Sequence, residues 1–129
     1  MLKVFCYFNL HRKCFSIKAL EGPNKGRVIA HRDDVLLYAG TFKVSEAGRQ
    51  RVLRERKKNV HAGVVGIWDE TGTDLITIDR VTTIGRPVTY NPYKYNTFVY
   101  LYGEHPVGGC RLVALTVNEN KRSHINVWN

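Results

Sequence analysis

The chain has no C-x-x-C pair, no apolar run near membrane length, and only 11 acidic residues against 20 basic ones. Each shortage removes a class of answers. Without cysteines paired at ligand spacing, a zinc ribbon is excluded. Three cysteines in all, Cys6, Cys14 and Cys110, with no secretory leader ahead of them, fit a reducing compartment. Cys6 and Cys14 are close enough in sequence to face each other across a hairpin, but buried free thiols are the expectation. The N-terminal stretch MLKVFCYFNLHRK is broken by charge and its apolar run is too short for a signal segment. A membrane span would need about 20 apolar residues. A soluble cytoplasmic protein with no membrane partner is expected. The histidines, His11, His31, His61, His105 and His124, show no H-x-x-x-H spacing, and DETGTD (69–74) is too short for a calcium loop, so no metal or cofactor is expected.

What remains is ordinary in bulk and unusual in one place. A length of 129 residues with 43% hydrophobic and 24% charged residues describes one globular domain, 1–129, with enough chain to bury a core unaided. The net charge of +9 speaks to partners rather than to fold. Short runs rich in β-branched and aromatic residues recur between turn signals: 2–8, 14–20, 27–31, 34–44 with a break at Ala39-Gly40, 60–68, 75–78, 81–90, 97–103, 110–117 and 124–128. NLHRK joins the first two as a hairpin, and EGPNKG (21–26) and DETGTD are turns. The glycines of VHAGVVGIW (60–68) suggest a buried strand with close backbone neighbours. The pattern predicts a β-rich α+β protein, with a barrel-like or sandwich antiparallel sheet and one basic helix at about 45–58.

That helix comes from SEAGRQRVLRERKKNVH (45–61). Six of the ten residues from Arg49 to Lys58 are basic: Arg49, Arg51, Arg54, Arg56, Lys57 and Lys58. Ser45 suits an N-cap, Glu46 the positive helix end, and Asn59 a left-handed close. Arg51 and Glu55 are four apart and can pair, as can Glu55 and Lys58 at three. Val52 and Leu53 flank a narrow apolar stripe, with Arg49 and Arg56 projecting between them, so the helix is expected to pack lightly on its arginine stems. The excess of Arg over Lys favours oriented contact with phosphate.

Around this segment stand weaker candidates. YNPYKYN (90–96) interleaves Tyr93 and Tyr95 with Lys94, the arrangement that stacks bases and holds a backbone. Tyr100 and Tyr102 are expected to share a strand face. GPNKGR (22–27) offers Lys25 and Arg27 to an anion but is not a Walker A motif. His61 follows the basic segment directly. Asp33, Asp34 and Glu55-Arg56-Lys57 have the composition of a metal-dependent nuclease, yet the E-x-K falls on the predicted helix rather than on a strand beside the aspartates.

The run GRVIAHRDDVLLYAGTFKVSEAGRQRVLRERKKNVHAGVVG (26–66), about a third of the chain, resembles small, mostly uncharacterised proteins of tailed bacteriophages. The resemblance implies an infected bacterial cytoplasm and a part in host takeover or counter-defence; it supplies no catalytic residues. Taken together, the expectation is a phage-encoded, non-catalytic binding protein for nucleic acid or a nucleotide. Its sites would be Arg49, Arg51, Arg54, Arg56, Lys57, Lys58 and His61, with Lys25, Arg27, Tyr93 and Tyr95. The alternatives are an inhibitor that presents the helix to a host protein, a sink for a nucleotide signal, and a metal-dependent nuclease.

Overall fold

A computed structural model of the chain describes residues 1–56 and 60–129. The chain order is β1 (Leu2–Asn9), β2 (Cys14–Ala19), β3 (Val28–Arg32), β4 (Asp34–Val44), α1 (Glu46–Glu55), β5 (Ala62–Trp68), α2 (Leu75–Ile84), β6 (Arg86–Thr89), β7 (Val99–Tyr100), β8 (Cys110–Val117) and β9 (Ser123–Trp128). The fold is therefore β-rich, as the alternating runs predict. It is neither a closed barrel nor a two-sheet sandwich: the nine strands among the described residues form one open antiparallel sheet, ordered β3-β2-β1-β5-β4-β8-β9-β6-β7.

One face of this sheet is its own core. Val4 and Cys6 of β1, Phe15 and Ile17 of β2, Val35 and Leu37 of β4, Val64 and Trp68 of β5, and Val113 and Leu115 of β8 are buried in a single cluster that also holds Val88, Phe98, Tyr100 and Val127. These residues alternate along their strands, so they share one face. No second sheet covers them among the described residues; the sheet curls over and the inner face packs on itself. At about 1.5–3 kcal/mol per fully buried large apolar side chain, this cluster dominates stability.

Among the described residues, a helix covers one half of the outer face. α2 packs on β4, β6, β8 and β9, where Ile78 and Val81 meet Leu36 and Ala114. Residues 75–84 read as strands from their β-branched content, and the structure corrects that to a helix. Asp74 caps it, its carboxylate accepting from the Thr77 N–H at 2.9 Å and the Thr77 hydroxyl at 2.7 Å. Gly85 ends it, because a Cβ there would lie 2.3 Å from the Val81 carbonyl oxygen and 2.7 Å from that of Val127. Propensity lost here to a cap, a stop and an apolar face at spacing three.

Two other expectations change. β4 runs through Ala39-Gly40 as one strand, with a bulge against β5 between Tyr38 and Thr41 and Ala39 at φ 52°. The strand predicted at 97–103 shrinks to Val99–Tyr100, so Tyr100 is buried under the Arg86 guanidinium while Tyr102 sits in a turn, 75% exposed. The glycines of β5 do mark close approach: a Cβ at Gly63 would meet the Cys6 carbonyl at 2.4 Å. Cys6 pairs across Ile17 and Cys14 across Asn9, so the two thiols are not opposed, and all three cysteines are free.

Candidate functional site

α1 begins where β4 ends. Ser45 caps it, accepting from the Gly48 N–H at 3.2 Å, and the Ser45 N–H donates to the His61 carbonyl at 2.7 Å. The helix stops at Glu55, earlier than expected, because Arg56 adopts the left-handed conformation (φ 53°) and its N–H closes on the Val52 carbonyl. Lys57, Lys58 and the cap proposed at Asn59 lie outside the described residues. The described helix therefore carries Arg49, Arg51 and Arg54 against Glu46 and Glu55, a far milder balance than the 45–58 segment suggested.

Those arginines do different things. Val52 is buried and Leu53 partly so, and Arg49 lies on the domain beside them, its side chain 16% exposed. Its Nε–H is shared between the carbonyls of Pro92 (3.1 Å) and Tyr95 (2.9 Å), and its Nη1 reaches Glu46 at 3.3 Å. Arg49 thus ties α1 to the tyrosine-rich loop. Arg51 pairs with Glu55 at 2.9 Å, the i,i+4 contact the spacing predicts. Arg54 and Arg56 are exposed and make no ion pair among the described residues.

Beneath the first turn of α1, His61 packs so closely that a Cβ at Gly48 would come within 2.5 Å of its own Cβ. Its Nε2 is 2.8 Å from the Tyr90 hydroxyl, with the two rings edge to face. Tyr90 also stacks on Phe98 at 4.9 Å, which roots the pair in the core. Burial pushes the Tyr90 phenol above its ordinary range, with Arg49 pulling the other way, so the hydroxyl stays protonated beside the imidazole.

The loop residues divide in the same way. The Tyr95 hydroxyl donates to Glu104 at 2.6 Å, and Lys94 meets the same carboxylate at 2.8 Å. The Glu104 hydrogen bond, then that of Tyr95, hold the Lys94 ammonium above its ordinary range; Lys94 and Tyr95 hold Glu104 below the usual carboxylate range. Tyr95 is thereby a fastening rather than an open stacking surface. Tyr93, 60% exposed, remains open. Glu104 carries no signal in the sequence, since it comes from a separate proline- and glycine-containing loop.

Lys25 and Arg27 lie elsewhere. Their turn, with Gly22 and Gly26 at positive φ, sits by Leu2 and Glu70 at the far end of β5 from His61, roughly 20 Å along the strand. The nuclease-like set is not assembled: Asp33 and Asp34 stand at the start of the eleven-residue β4, the helix that bears Glu55 leaves from its other end, roughly 30 Å along the strand, and Lys57 is outside the described residues. A shallow cleft lined by Leu36, Tyr38, Trp68 and residues of the 69–74 turn presents Asp69 and Asp74. Both carboxylates are held below their ordinary range by hydrogen bonds from Thr71 and Thr77 respectively, and their charge disfavours an anion there. No group of histidine, cysteine or acidic side chains among the described residues could hold a metal ion, and no described helix is long and apolar enough to cross a membrane.

Comparison with known proteins gives a family. The family model described as Mycobacterium phage L5 gene 82 protein matches residues 1–123. The Gene 82 protein of Mycobacterium phage L5 is 40% identical over 121 residues, covering 89% of this chain and 90% of that protein. No solved structure matches. The phage resemblance seen at 26–66 therefore extends through the tyrosine-rich segment, and the chain belongs to the family of the phage L5 gene 82 protein.

Proposed function

We propose that this phage protein is a non-catalytic binder of nucleic acid, acting on the infected host from within the bacterial cytoplasm. The observation that carries the reading is the surplus of cation left after folding. The chain holds 20 basic and 11 acidic residues. Among the described residues, ion pairs engage only the side chains of Arg49, Arg51 and Lys94, besides the N-terminus. Arg54 and Arg56 close α1 without an ion pair among the described residues, and the sequence continues directly into Lys57 and Lys58. Left-handed Arg56 ends the helix at this point. When such cations neutralise the phosphates of a polyanion, its condensed counterions are released to the solution, and that release favours binding.

The test is fluorescence anisotropy of labelled 20-nucleotide single strands and duplexes across a salt series. The proposal expects log K to fall linearly with log salt. Replacing Arg54, Arg56, Lys57 and Lys58 by glutamine should weaken binding and flatten the slope by about 0.7 (single strand) to 0.9 (duplex) per lost phosphate contact. A folded quadruple variant with the wild-type affinity and slope would refute the assignment of these residues. If the wild-type chain instead binds no oligonucleotide and captures a host protein after nuclease treatment, the helix serves as an inhibitor and the reading as a whole fails.

A further inference from the structure

The half of the outer sheet face that α2 leaves uncovered carries an arrangement the charged helix does not explain. β1 places Val4 and Cys6 in the core, so Lys3, Phe5 and Tyr7 point to the other side. The Phe5 and Tyr7 rings lie 5.9 Å apart, tilted by 31°. Both are only partly buried and belong to neither core cluster.

Gly63 of β5 sets how Phe5 lies. A Cβ there would fall 2.7 and 2.9 Å from two Phe5 ring carbons. The missing side chain lets the ring rest on the β5 backbone, and Phe5 stays only partly buried there. Register then surrounds that ring with cations. Lys18 of β2 is directly opposite Phe5 on one side, and Lys43 of β4 is opposite Gly63 on the other. Lys3 lies two residues along β1. The outward positions of β1, β2 and β5 are Lys3, Phe5, Tyr7, Asn9, Cys14, Ser16, Lys18, Gly63, Val65 and Ile67, with no acidic residue among them. Glu21, whose carboxylate accepts from the Lys3 N–H, marks the border of the patch.

We propose that this face is a stacking platform for single-stranded nucleic acid. Bases would lie on the Phe5 and Tyr7 rings, and Lys3, Lys18 and Lys43 would neutralise the backbone on either side. Two neighbouring rings presented by a sheet, flanked by lysines and free of carboxylates, fit a strand whose bases are already unstacked. A duplex hides its base faces and can offer only its phosphates. The platform rests on the reading above, that the ligand is nucleic acid, and deepens it by fixing strandedness and by assigning bases to the sheet, with the α1 cations left to the backbone.

The experiment uses the full chain with labelled 12-nucleotide RNA and DNA single strands and the matching duplexes. The DNA and RNA arms decide which sugar the face prefers. Wild-type protein should bind one or both single strands more tightly than duplex. F5L/Y7L keeps the face apolar while removing the rings; it should weaken single-strand binding at least about tenfold, with little change in salt slope. K18Q/K43Q should instead flatten the single-strand slope by about 1.4, and its exposed and partly exposed positions keep the fold out of the question. Single-strand affinity unchanged in both variants, while the α1 quadruple variant loses binding, overturns the platform and leaves the α1 reading standing. Tighter binding to duplex also overturns it. If no oligonucleotide binds and F5L/Y7L merely abolishes self-association, the face is a contact between copies and both readings fail.

Discussion

Arg49 distinguishes a charge placed for the fold from a charge placed for a ligand, and its removal has a size that can be worked out. The Arg49 Nε–H is one donor divided between two carbonyls, those of Pro92 and Tyr95. Such a three-centre bond counts as one strong contact rather than two. A hydrogen bond to a charged donor contributes about 1.5–3 kcal/mol. The Glu46 contact, with the carboxylate 60% exposed, adds only a few tenths more. Arg49→Ala should therefore destabilise the protein by about 2–3 kcal/mol. With a urea m-value of about 1–3 kcal/mol/M, the unfolding midpoint should drop by about 1–2 M. Tm should fall by roughly 10 °C, since 1 kcal/mol is worth several degrees at this size. Arg54→Ala removes an equal charge from the same helix and should stay within about 0.5 kcal/mol of wild type. Urea melts of the two variants, followed by tryptophan fluorescence, make the comparison. Equal midpoints for R49A and wild type would refute the clamp and return Arg49 to the pool of ligand contacts.

Three further outcomes follow from single contacts. Gly85→Ala should cost about 1–3 kcal/mol or more in a urea melt, because both atoms its methyl would strike, the Val81 and Val127 carbonyl oxygens, are backbone; a wild-type midpoint would mean that the α2–β9 junction yields. The carboxyl of Asp74 sits below its ordinary range in the folded chain because it accepts from Thr77. Its contribution to stability is thus present above the unfolded value near 3.9 and is lost as pH falls through the lower folded value. D74A should accordingly lose less stability than wild type on acidification below about pH 4, and parallel acid titrations of the two would contradict this. Burial pushes the Cys6 thiol far up, so in the native protein iodoacetamide should modify partly exposed Cys14 while sparing Cys6 until denaturant is added; equal native rates would place Cys6 at the surface.

The strands were legible because their register leaves little choice. Val4, Cys6 and Phe8 alternate with Lys3, Phe5 and Tyr7, and an offset of one residue would bury Lys3. Residues 110–117 and 124–128 announce themselves in the same way. Residues 75–84 were not legible by the same signal. LITIDRVTTI is rich in β-branched residues, and the competing evidence is short: Asp74 three residues before Thr77, apolar Ile78 and Val81, then Gly85. A cap and one buried stripe outweigh propensity when a sheet surface at Leu36 and Ala114 is waiting to be covered. That surface is a product of tertiary structure and is not written in residues 75–84. The same limit explains why the alternation predicts a barrel or sandwich where the chain forms a curled open sheet: each arrangement demands the same alternation, and closure depends on whether β3 and β7 meet.

The basic segment shows a different limit. Composition counts charges, whereas the fold decides which of them remain available. Arg49 and Arg51 have identical chemistry two residues apart, yet one faces the Pro92–Tyr95 carbonyls and the other a carboxylate one turn on. Neither assignment follows from 45–58 alone, because the loop that receives Arg49 is more than forty residues away in sequence. Conversely, the strand predicted at 2–8 carries aromatics on both faces, and its sequence alone does not say that Phe5 and Tyr7 lie on the face that no helix covers. What turns them outward is a missing layer: α2 covers the half of the sheet built by β4, β6, β8 and β9, and leaves β1 with one apolar face inside and one outside. An aromatic pair retained on that open face, beside Lys18 and Lys43, carries an exposure cost that core packing does not offset. A ligand with flat faces and negative charge would offset it.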